Sequence, residues 1–160
     1  MKYEMRRAKQ RLSMEESLAI LEKGSSGVLA LWDGEEPDAV PLSYVYHEGK
    51  LYFHCARAGR KLEAIKVYPR ASFCVVAADD VIPEKYTTAY RSVIVSGPLR
   101  ILEDEAEMVP ALRLLAEKYN PGHSEDTEKE ISAWISHMFM LELRADEISG
   151  KQGKELLNQS

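Results

Sequence analysis

The sequence predicts a mainly β protein, a small antiparallel barrel of six or so strands with α-helices at its periphery. Short apolar or alternating segments dominate the chain, and several are joined by connections short enough to be hairpin turns. Helical periodicity is confined to a few separate stretches, whereas a doubly wound α/β sheet would need a helix between most strands. An antiparallel barrel with peripheral helices therefore fits the pattern best.

The composition predicts one domain covering residues 1–160. A chain of 160 residues with 45% hydrophobic content can bury a core without disulfides. The net charge of −5 argues against a nucleic-acid partner. Cys55 and Cys74 lie in apolar strand patterns, so we expect small buried thiols and no metal site. Without a membrane-spanning apolar stretch or a signal-peptide core, the expected location is the cytoplasm.

The central feature of the sequence is a hairpin followed by a cationic turn. Residues 40–46 alternate with the period of a strand, and residues 51–56 form a second alternating run. The connection between them contains Gly49, which can supply the positive φ of a tight turn. The two runs are therefore predicted to pair as a β-hairpin.

Three cations, Arg57, Arg60 and Lys61, stand where a short helix, ended by Pro69, should begin. Cations at a helix start are unfavourable by roughly 0.3 to 1 kcal/mol each, and a bound anion would reverse the sign. Gly59 would let the backbone approach a ligand closely. The turn is either a phosphate site or a solvated basic turn, and these residues alone leave both open.

The N-terminal region contains a basic segment, a helix and a strand. Residues 1–12 are expected to form either an exposed arm or a strap over a neighbouring subunit. Ser13–Glu16 is a capping box, which predicts a helix that ends at Gly24. The nearly continuous apolar run Gly27–Trp32 predicts a buried strand. At the other end of the chain, we expect the polar tail 153–160 to be mobile.

Downstream of the cationic turn, residues 71–77 and 89–97 predict strands separated by a polar loop at 79–88. Gly97 and Pro98 are expected to break or bend the second strand before it continues as Leu99–Leu102.

Two helices and two strands complete the chain. Asp104–Tyr119 has a helical apolar stripe, in which Pro110 either kinks the helix or belongs to the first turn of a later start. A capping box at Thr127–Glu130 predicts the start of the next helix. Met138–Ala145 alternates as a strand, and Glu147–Gln152 is compatible with a last short one.

No nucleophile elbow, P-loop, dinucleotide-binding or zinc-protease motif is present. His54 is the one histidine placed mid-strand beside the cationic turn, and a structural histidine is the simpler alternative for it. Together, the aromatic hairpin, His54 and the cations indicate a site for a phosphorylated ligand with a flat ring.

Four segments carry a family resemblance: PLSYVY (41–46), GKLYFHCA (49–56), Gly59–Lys61 and YRSVIVSG (90–97). They resemble the FMN-binding split-barrel proteins related to pyridoxamine 5′-phosphate oxidase. Met5–Arg7, together with the YFHCA hairpin, is similar to the 5-nitroimidazole-resistance (Nim) branch.

The resemblance implies a split barrel and a homodimer with FMN at each of two subunit interfaces. The backbone of residues 40–44 would follow the isoalloxazine edge, the 57–61 turn would take the phosphate with Lys61 as its strongest candidate, and 90–93 would approach from the partner subunit or flank the ring. His54 would assist chemistry. The implied cofactor-binding residues are Val40, Pro41, Leu42, Ser43, Tyr44, Arg57, Gly59, Arg60, Lys61, Tyr90, Arg91, Ser92 and Val93.

The function implied by this resemblance is an FMN-dependent oxidoreductase that reduces small acceptors such as nitro compounds. Two alternatives stay open: a flavin-binding store or sensor without turnover, and a haem-binding relative with a histidine axial ligand. The arginine-rich pyridoxal phosphate site of the true oxidases has no counterpart in the sequence, so that activity is not expected.

Overall fold

The structure, a computed structural model, describes residues 5–157, apart from the side chain of Ser124. Within that range it has eight strands and four α-helices. The α-helices are α1 (Met14–Lys23), α2 (Arg60–Val67), α3 (Glu105–Tyr119) and α4 (Ser124–Trp134). The strands are β1 (Ser26–Trp32), β2 (Pro37–Ser43), β3 (Val45–His47), β4 (Lys50–Ala56), β5 (Arg70–Ile82), β6 (Thr87–Leu102), β7 (Met138–Arg144) and β8 (Glu147–Gln152). No described helix is long and apolar enough to cross a membrane.

The strands form an antiparallel sheet in the order β2-β1-β5-β6-β7-β4-β3, with β8 added to β6. Strand β6 joins the two halves of this sheet. One edge of β6 pairs with β5, and the other pairs with β8 over residues 91–96 and with β7 over residues 99–102. The sheet is thereby divided into two half-sheets that share one long strand. The predicted fold class is confirmed, with eight strands instead of six or so.

The predicted hairpin is β3–β4, closed by a two-residue turn. Glu48 and Gly49 both have positive φ, 46° and 80°, which is the type I′ geometry that matches the twist of paired strands. In β4, Leu51, Phe53 and Cys55 are buried, while the alternate residues are more exposed. The turn and the inward face of β4 are as predicted. The first strand of the predicted hairpin is wrong over residues 40–43, which belong to β2 and pair with β1, while Val45–His47 pair with β4.

Strand β1 is not buried throughout, although its sequence is nearly all apolar. Leu29 and Leu31 face the core, whereas Val28 and Trp32 remain 41% and 42% exposed. One face of β1 covers the barrel interior and the other faces outward. Residue type alone does not distinguish a strand covered on both faces from one whose outer apolar face is open.

The prediction of a polar loop at residues 79–88 is wrong. Strand β5 continues to Ile82, a short 3-10 turn covers Pro83–Lys85, and β6 starts at Thr87. Backbone pairing, including Asp79 opposite Tyr90, builds this ribbon regardless of its polar side chains.

The expected break at Gly97 and Pro98 is also absent, because both residues lie inside continuous β6. A Cβ at position 97 would collide with the Arg144 carbonyl, so this glycine allows a close approach of β6 to the end of β7.

Among the helix predictions, the one for α1 is confirmed and the predicted start of α4 is wrong. Helix α1 has the predicted capping box at Ser13 and Glu16 and ends before Gly24. Pro110 lies well inside α3, as the sixth residue of a helix capped by Asp104. The predicted start of α4 is wrong, because the helix begins at Ser124 and the Thr127 hydroxyl donates to the His123 carbonyl.

The described parts of both chain ends pack on this same chain. Leu12 N–H donates to the Gly150 carbonyl (3.1 Å), and Gln10 and Leu12 are buried, so the end of the 5–12 segment is attached to its own chain and is not a free arm. The strap over a neighbouring subunit stays a prediction. The described part of the tail, expected to be mobile, is bonded through Gly153 N–H to the Tyr90 carbonyl (2.8 Å). Residues 1–4 and 158–160 lie outside the described residues.

Two groups of buried side chains form the core. The first fills the barrel around three aromatic rings, in which the Phe73 ring stands edge-on to those of Tyr44 and Phe53 with centroids 4.9 Å apart. The second lies between the β4–β7 face and helices α3 and α4, and includes Met108 and Met140. The helical layer is thus attached to the barrel through its own apolar core.

The two cysteines are free, as expected. Cys55 is buried, while Cys74 is half-buried. Burial raises the pKa of both thiols, which keeps them protonated at neutral pH.

A buried carboxylate connects β4, β6 and β7 on the side of the sheet that faces α3. Glu142 on β7 is 8% exposed and accepts hydrogen bonds from Arg100 Nε (2.8 Å), Lys50 Nζ (3.1 Å) and the Tyr52 hydroxyl (3.1 Å). Arg100 also pairs with Glu107 on α3 (2.8 Å). Burial alone would raise the pKa of Glu142, but Arg100 and Lys50 outweigh burial and hold the pKa below its ordinary value.

We expect Glu142→Gln to lower the free energy of unfolding at pH 7 by about 1–3 kcal/mol, because two half-exposed cations lose a buried partner. The difference from wild type should persist above the ordinary glutamate pKa, about 4.3, and shrink as pH falls through the lowered pKa. Urea unfolding between pH 3 and 7 measures it. Glu128→Gln, which removes a surface pair with Arg113, is the control and should cost less. Equal losses of unfolding free energy in the two variants would contradict a structural role for Glu142 beyond that of a surface ion pair.

Candidate functional site

A cavity of about 460 Å³ lies between the barrel and the α3–α4 layer. Its walls are mainly apolar, and the barrel side contributes Ser43 at the end of β2, His54 on β4 and Met138 at the start of β7. The helical side is formed by Leu112, Leu115, Ala116, Tyr119, Asn120, Asp126, Thr127, Glu130, Ile131 and Trp134. A concave apolar site with a few polar groups is the usual form of a small-molecule site.

His54 stands on the exposed side of β4, where it lines this cavity. Its backbone pairs with Met140 of β7, so a central strand fixes its position. It shares this face with Tyr52 and Ala56, as the alternation of the sequence predicted. Among the described residues it is the histidine that reaches the cavity wall.

The cationic turn follows β4 directly and leads into α2. Gly59 precedes the helix with φ of 132°, a conformation that favours glycine, and no side chain caps the helix start. The first turn closes with the Leu62 N–H on the Gly59 carbonyl (3.0 Å). The N–H groups of Arg60 and Lys61 precede that bond and have no carbonyl within the helix to bond to.

The three cations of the turn are engaged differently. Arg60 is held by the β1–β2 turn, with a nitrogen 3.1 Å from Asp33 and 3.3 Å from Glu36. These hydrogen bonds raise the pKa of Arg60, with Asp33 as the main cause. Arg57 donates to the Met138 carbonyl (3.3 Å). The sequence did not indicate that Asp33 and Glu36 pair with Arg60, because these acids lie more than twenty residues earlier in the chain.

Neither Lys61 nor Arg57 is engaged by a carboxylate within the described part of the chain, and Arg57 is held by the Met138 carbonyl instead. Lys61 lies close to the buried thiol of Cys55 on β4. A half-buried lysine without an acidic partner is available to an incoming anion.

The segment Val40–Ser43 belongs to β2, which pairs with β1 alone among the described strands and so forms one edge of the sheet. Tyr44 separates β2 from β3, and its side chain lies in the barrel core. The Tyr44 N–H donates to the Tyr119 hydroxyl (3.0 Å), and its own hydroxyl donates to the Leu21 carbonyl (2.7 Å). In this chain Tyr44 therefore anchors the fold, while the edge of 40–43 is open.

Tyr90–Val93 does not meet these segments within one chain. It lies on β6, and β1 and β5 separate it from β2, a distance of three strand spacings or about 14 Å. Val93 is fully buried, and Arg91 Nε donates to Gln152 (3.0 Å). The structure thus brings Ser43 and His54 together at the cavity, places the 57–61 turn directly after β4 and against the β1–β2 turn, and leaves 90–93 apart.

The sequence prediction missed the helical half of the cavity. The sequence places Tyr119 on the apolar stripe of α3 and Trp134 within the predicted α4, without indicating what either aromatic faces. In the structure both side chains line the cavity and remain about half exposed, at 44% and 55%. Only the packing of α3 and α4 over β4 shows that they face His54.

An antiparallel sheet divided around one shared strand defines this chain as a split-barrel protein. More particularly, the chain belongs to the pyridoxamine 5′-phosphate oxidase family, whose model matches residues 13–152.

Solved structures share the fold at low sequence identity. The flavocytochrome Anf3 of Azotobacter vinelandii is 20% identical with a TM-score of 0.81, covering 95% of this chain and 72% of that one. An FAD- and haem-binding protein of Mycobacterium smegmatis is 24% identical with a TM-score of 0.74, covering 91% and 74%. A proposed 5-nitroimidazole antibiotic resistance protein of Bacteroides thetaiotaomicron is 17% identical with a TM-score of 0.72, covering 89% and 86%.

Proposed function

We propose that this chain binds FMN and uses it to reduce small acceptors such as nitro compounds. The observation that carries the proposal is the continuity of three features: a cationic helix start, an open strand edge and a histidine-bearing apolar cavity. Arg57 links the turn to the cavity, because it donates to the carbonyl of Met138, a cavity residue, and Ser43 at the end of the open edge lines the same cavity. The flavin-binding proteins among the structural neighbours support the same reading.

The turn would hold the phosphate of the flavin. The N–H groups of Arg60 and Lys61 at the start of α2 suit an anion, as does the positive end of the helix dipole. Lys61 is the cation expected to contribute most, because Arg60 is already bonded to Asp33 and Glu36. A phosphate bound here would either share Arg60 with Asp33 and Glu36 or replace these two carboxylates as its partner.

We expect Lys61→Ala to weaken FMN binding about ten- to hundredfold, the loss of one charge-assisted contact to a phosphate. Fluorescence titration of the apoprotein measures the dissociation constant. Lys66→Ala is the matched control, since Lys66 lies on the same helix and pairs only with Glu63 (2.8 Å). Riboflavin, which lacks the phosphate, should bind wild type and Lys61→Ala alike. Equal FMN affinities for the two lysine variants would remove Lys61 from the site.

The ring would lie along the edge of β2 at residues 40–43, with the second wall supplied by Tyr90–Val93 of another copy. An apolar outer face supports such a pairing. Val28, Cys74 and Ile94 stand in one cross-strand row, and Pro41 continues that row on β2. Because Ser92 lies on the same side of β6 as Ile94, two-fold packing of this face would bring 90–93 of one copy towards 40–43 of the other.

The expected assembly is therefore a homodimer with a flavin at each interface, with a mass near twice the 18.1 kDa of one chain. Light scattering at micromolar concentration measures it. Ile94→Glu places a charge in the centre of the apolar face, where the side chain is 45% exposed in one chain. This variant should shift to the single-chain mass and lose FMN together. A wild-type mass of 18.1 kDa would contradict the interface.

His54 would deliver protons to an acceptor in the cavity. Reduction of a nitro group to a nitroso group takes two electrons and two protons and releases one water. The bound flavin supplies the electrons, drawn from a nicotinamide or similar donor. An imidazole on a rigid strand within the cavity is placed to donate a proton to a bound acceptor.

We expect His54→Ala to lower the turnover number for nitroreduction about a hundredfold, the loss typical of a missing general acid. Melting temperature and FMN affinity should stay close to wild type, because the side chain is exposed. His47→Ala, in the hairpin turn and outside the cavity lining, is the control. Full turnover by a stable, flavin-loaded His54→Ala protein would exclude this role.

Two other functions use the same site. A flavin store or sensor would bind FMN and show no turnover with any nicotinamide donor and nitroaromatic. A haem protein would use His54 as the axial ligand, since it is the histidine lining the apolar cavity among the described residues. A Soret band in the purified protein, abolished by His54→Ala, would favour haem over flavin.

A further inference from the structure

The geometry of the α3–α4 cavity points to a charge preference: we propose that it takes uncharged or cationic aromatic compounds and discriminates against anionic ones. This rests on the proposed function in that these compounds would be its acceptors. The preference concerns the cavity itself and not the cationic turn, which would be occupied by the flavin phosphate.

The ionised side chains that line the cavity are both acidic. They are Asp126 and Glu130, on one side of α4, and no lysine or arginine among the described residues lines it. Glu130 accepts a hydrogen bond from Trp134 Nε1 (3.0 Å) and has no cation within 4 Å in the described chain. No nearby cation among the described residues therefore neutralises Glu130, and the carboxylate of Asp126 lies four residues earlier on the same helix.

Asp126 is only weakly neutralised. Its two basic neighbours are distant, with His123 Nδ1 at 3.9 Å and Lys129 Nζ at 4.0 Å, and all three side chains are largely exposed. Arg57, on the barrel side, lies over the Phe139 ring at 4.8 Å and donates to a backbone carbonyl, and Lys118 lies 5.8 Å from the centre of the Tyr119 ring and donates to the Gly24 carbonyl. Neither cation lines the cavity, so we expect the two carboxylates that do line it to make its electrostatic potential negative.

Two aromatic side chains provide flat surfaces for a ring. Trp134 and Tyr119 remain 55% and 44% exposed while lining the cavity, and Leu112, Leu115 and Ile131 add apolar surface. The volume of about 460 Å³ suits a compound of one or two rings. Negative ring faces and a carboxylate both favour a cation, and neither offers a phosphate or carboxylate any donor. Phosphorylated pyridoxine-like compounds would therefore be disfavoured by charge.

Tryptophan fluorescence tests the inference without turnover. The chain has two tryptophans, so Trp32→Phe leaves Trp134 as the single reporter, within the cavity. The purified, flavin-loaded variant is titrated with 4-nitrobenzylamine, 4-nitrobenzyl alcohol and 4-nitrobenzoate, which carry +1, 0 and −1 charge at pH 7. We expect the amine to bind about tenfold more tightly than the benzoate at low salt, with the ratio falling at 0.5 M salt.

Glu130→Gln in the same background should reduce the amine-to-benzoate ratio about three- to fivefold. Glu128→Gln is the matched control, because it changes the same charge on the same helix while its side chain is engaged by Arg113 outside the cavity. Equal ratios in the two variants, a benzoate that binds as tightly as the amine, or no quenching by any of the three would overturn the inference.

The outcome is separable from the proposed function. Nitroreduction without a charge order in binding would leave the function standing and remove the inference. A charge order without any reduction would retain the inference for a binding protein and remove the reductase.

Discussion

The packing and bonding of Tyr44 constrain the whole structure. Its ring is fully buried against Phe73, and its hydroxyl donates to the Leu21 carbonyl near the end of α1. Burial raises the pKa of this hydroxyl, so it remains a donor at any physiological pH. A Cβ at Gly24 would stand 2.5 Å from the hydroxyl oxygen, which leaves room there only for glycine. One side chain thus fixes α1 against the barrel.

The same residue attaches the helical layer. The Tyr119 hydroxyl, at the end of α3, accepts from the Tyr44 N–H and lies within reach of the Ser25 carbonyl. Lys118 places its ammonium 4.1 Å from the centre of the Tyr44 ring and donates to the Gly24 carbonyl. Burial lowers the pKa of Lys118, but these partners suit its charged form. Because α3 is held here, the cavity between α3 and His54 keeps a defined wall.

Charge is segregated around the site, although the chain as a whole carries −5. Cations concentrate in the 57–61 turn, whereas the carboxylates that line the cavity, Asp126 and Glu130, lie on α4. The β1–β2 turn is an exception to this separation of charge, because its acids Asp33 and Glu36 lie beside the cationic turn and engage Arg60. A site arranged in this way would receive an anionic cofactor group at one end and a neutral or cationic ring at the other.

Local sequence determined the hairpin turn at Glu48 and Gly49, the α1 capping box, the inward face of β4 and the placement of cations at the start of α2, because each depends on residues close in the chain. Tertiary structure decided the rest. The 79–88 ribbon exists through cross-strand backbone bonds, β1 keeps an open outer face, and Arg60 is paired with acids more than twenty residues earlier. The cavity wall of Tyr119 and Trp134 likewise arises only when α3 and α4 pack over β4. Periodicity identifies which face of a helix is apolar, but the surface that this face meets depends on contacts between distant segments.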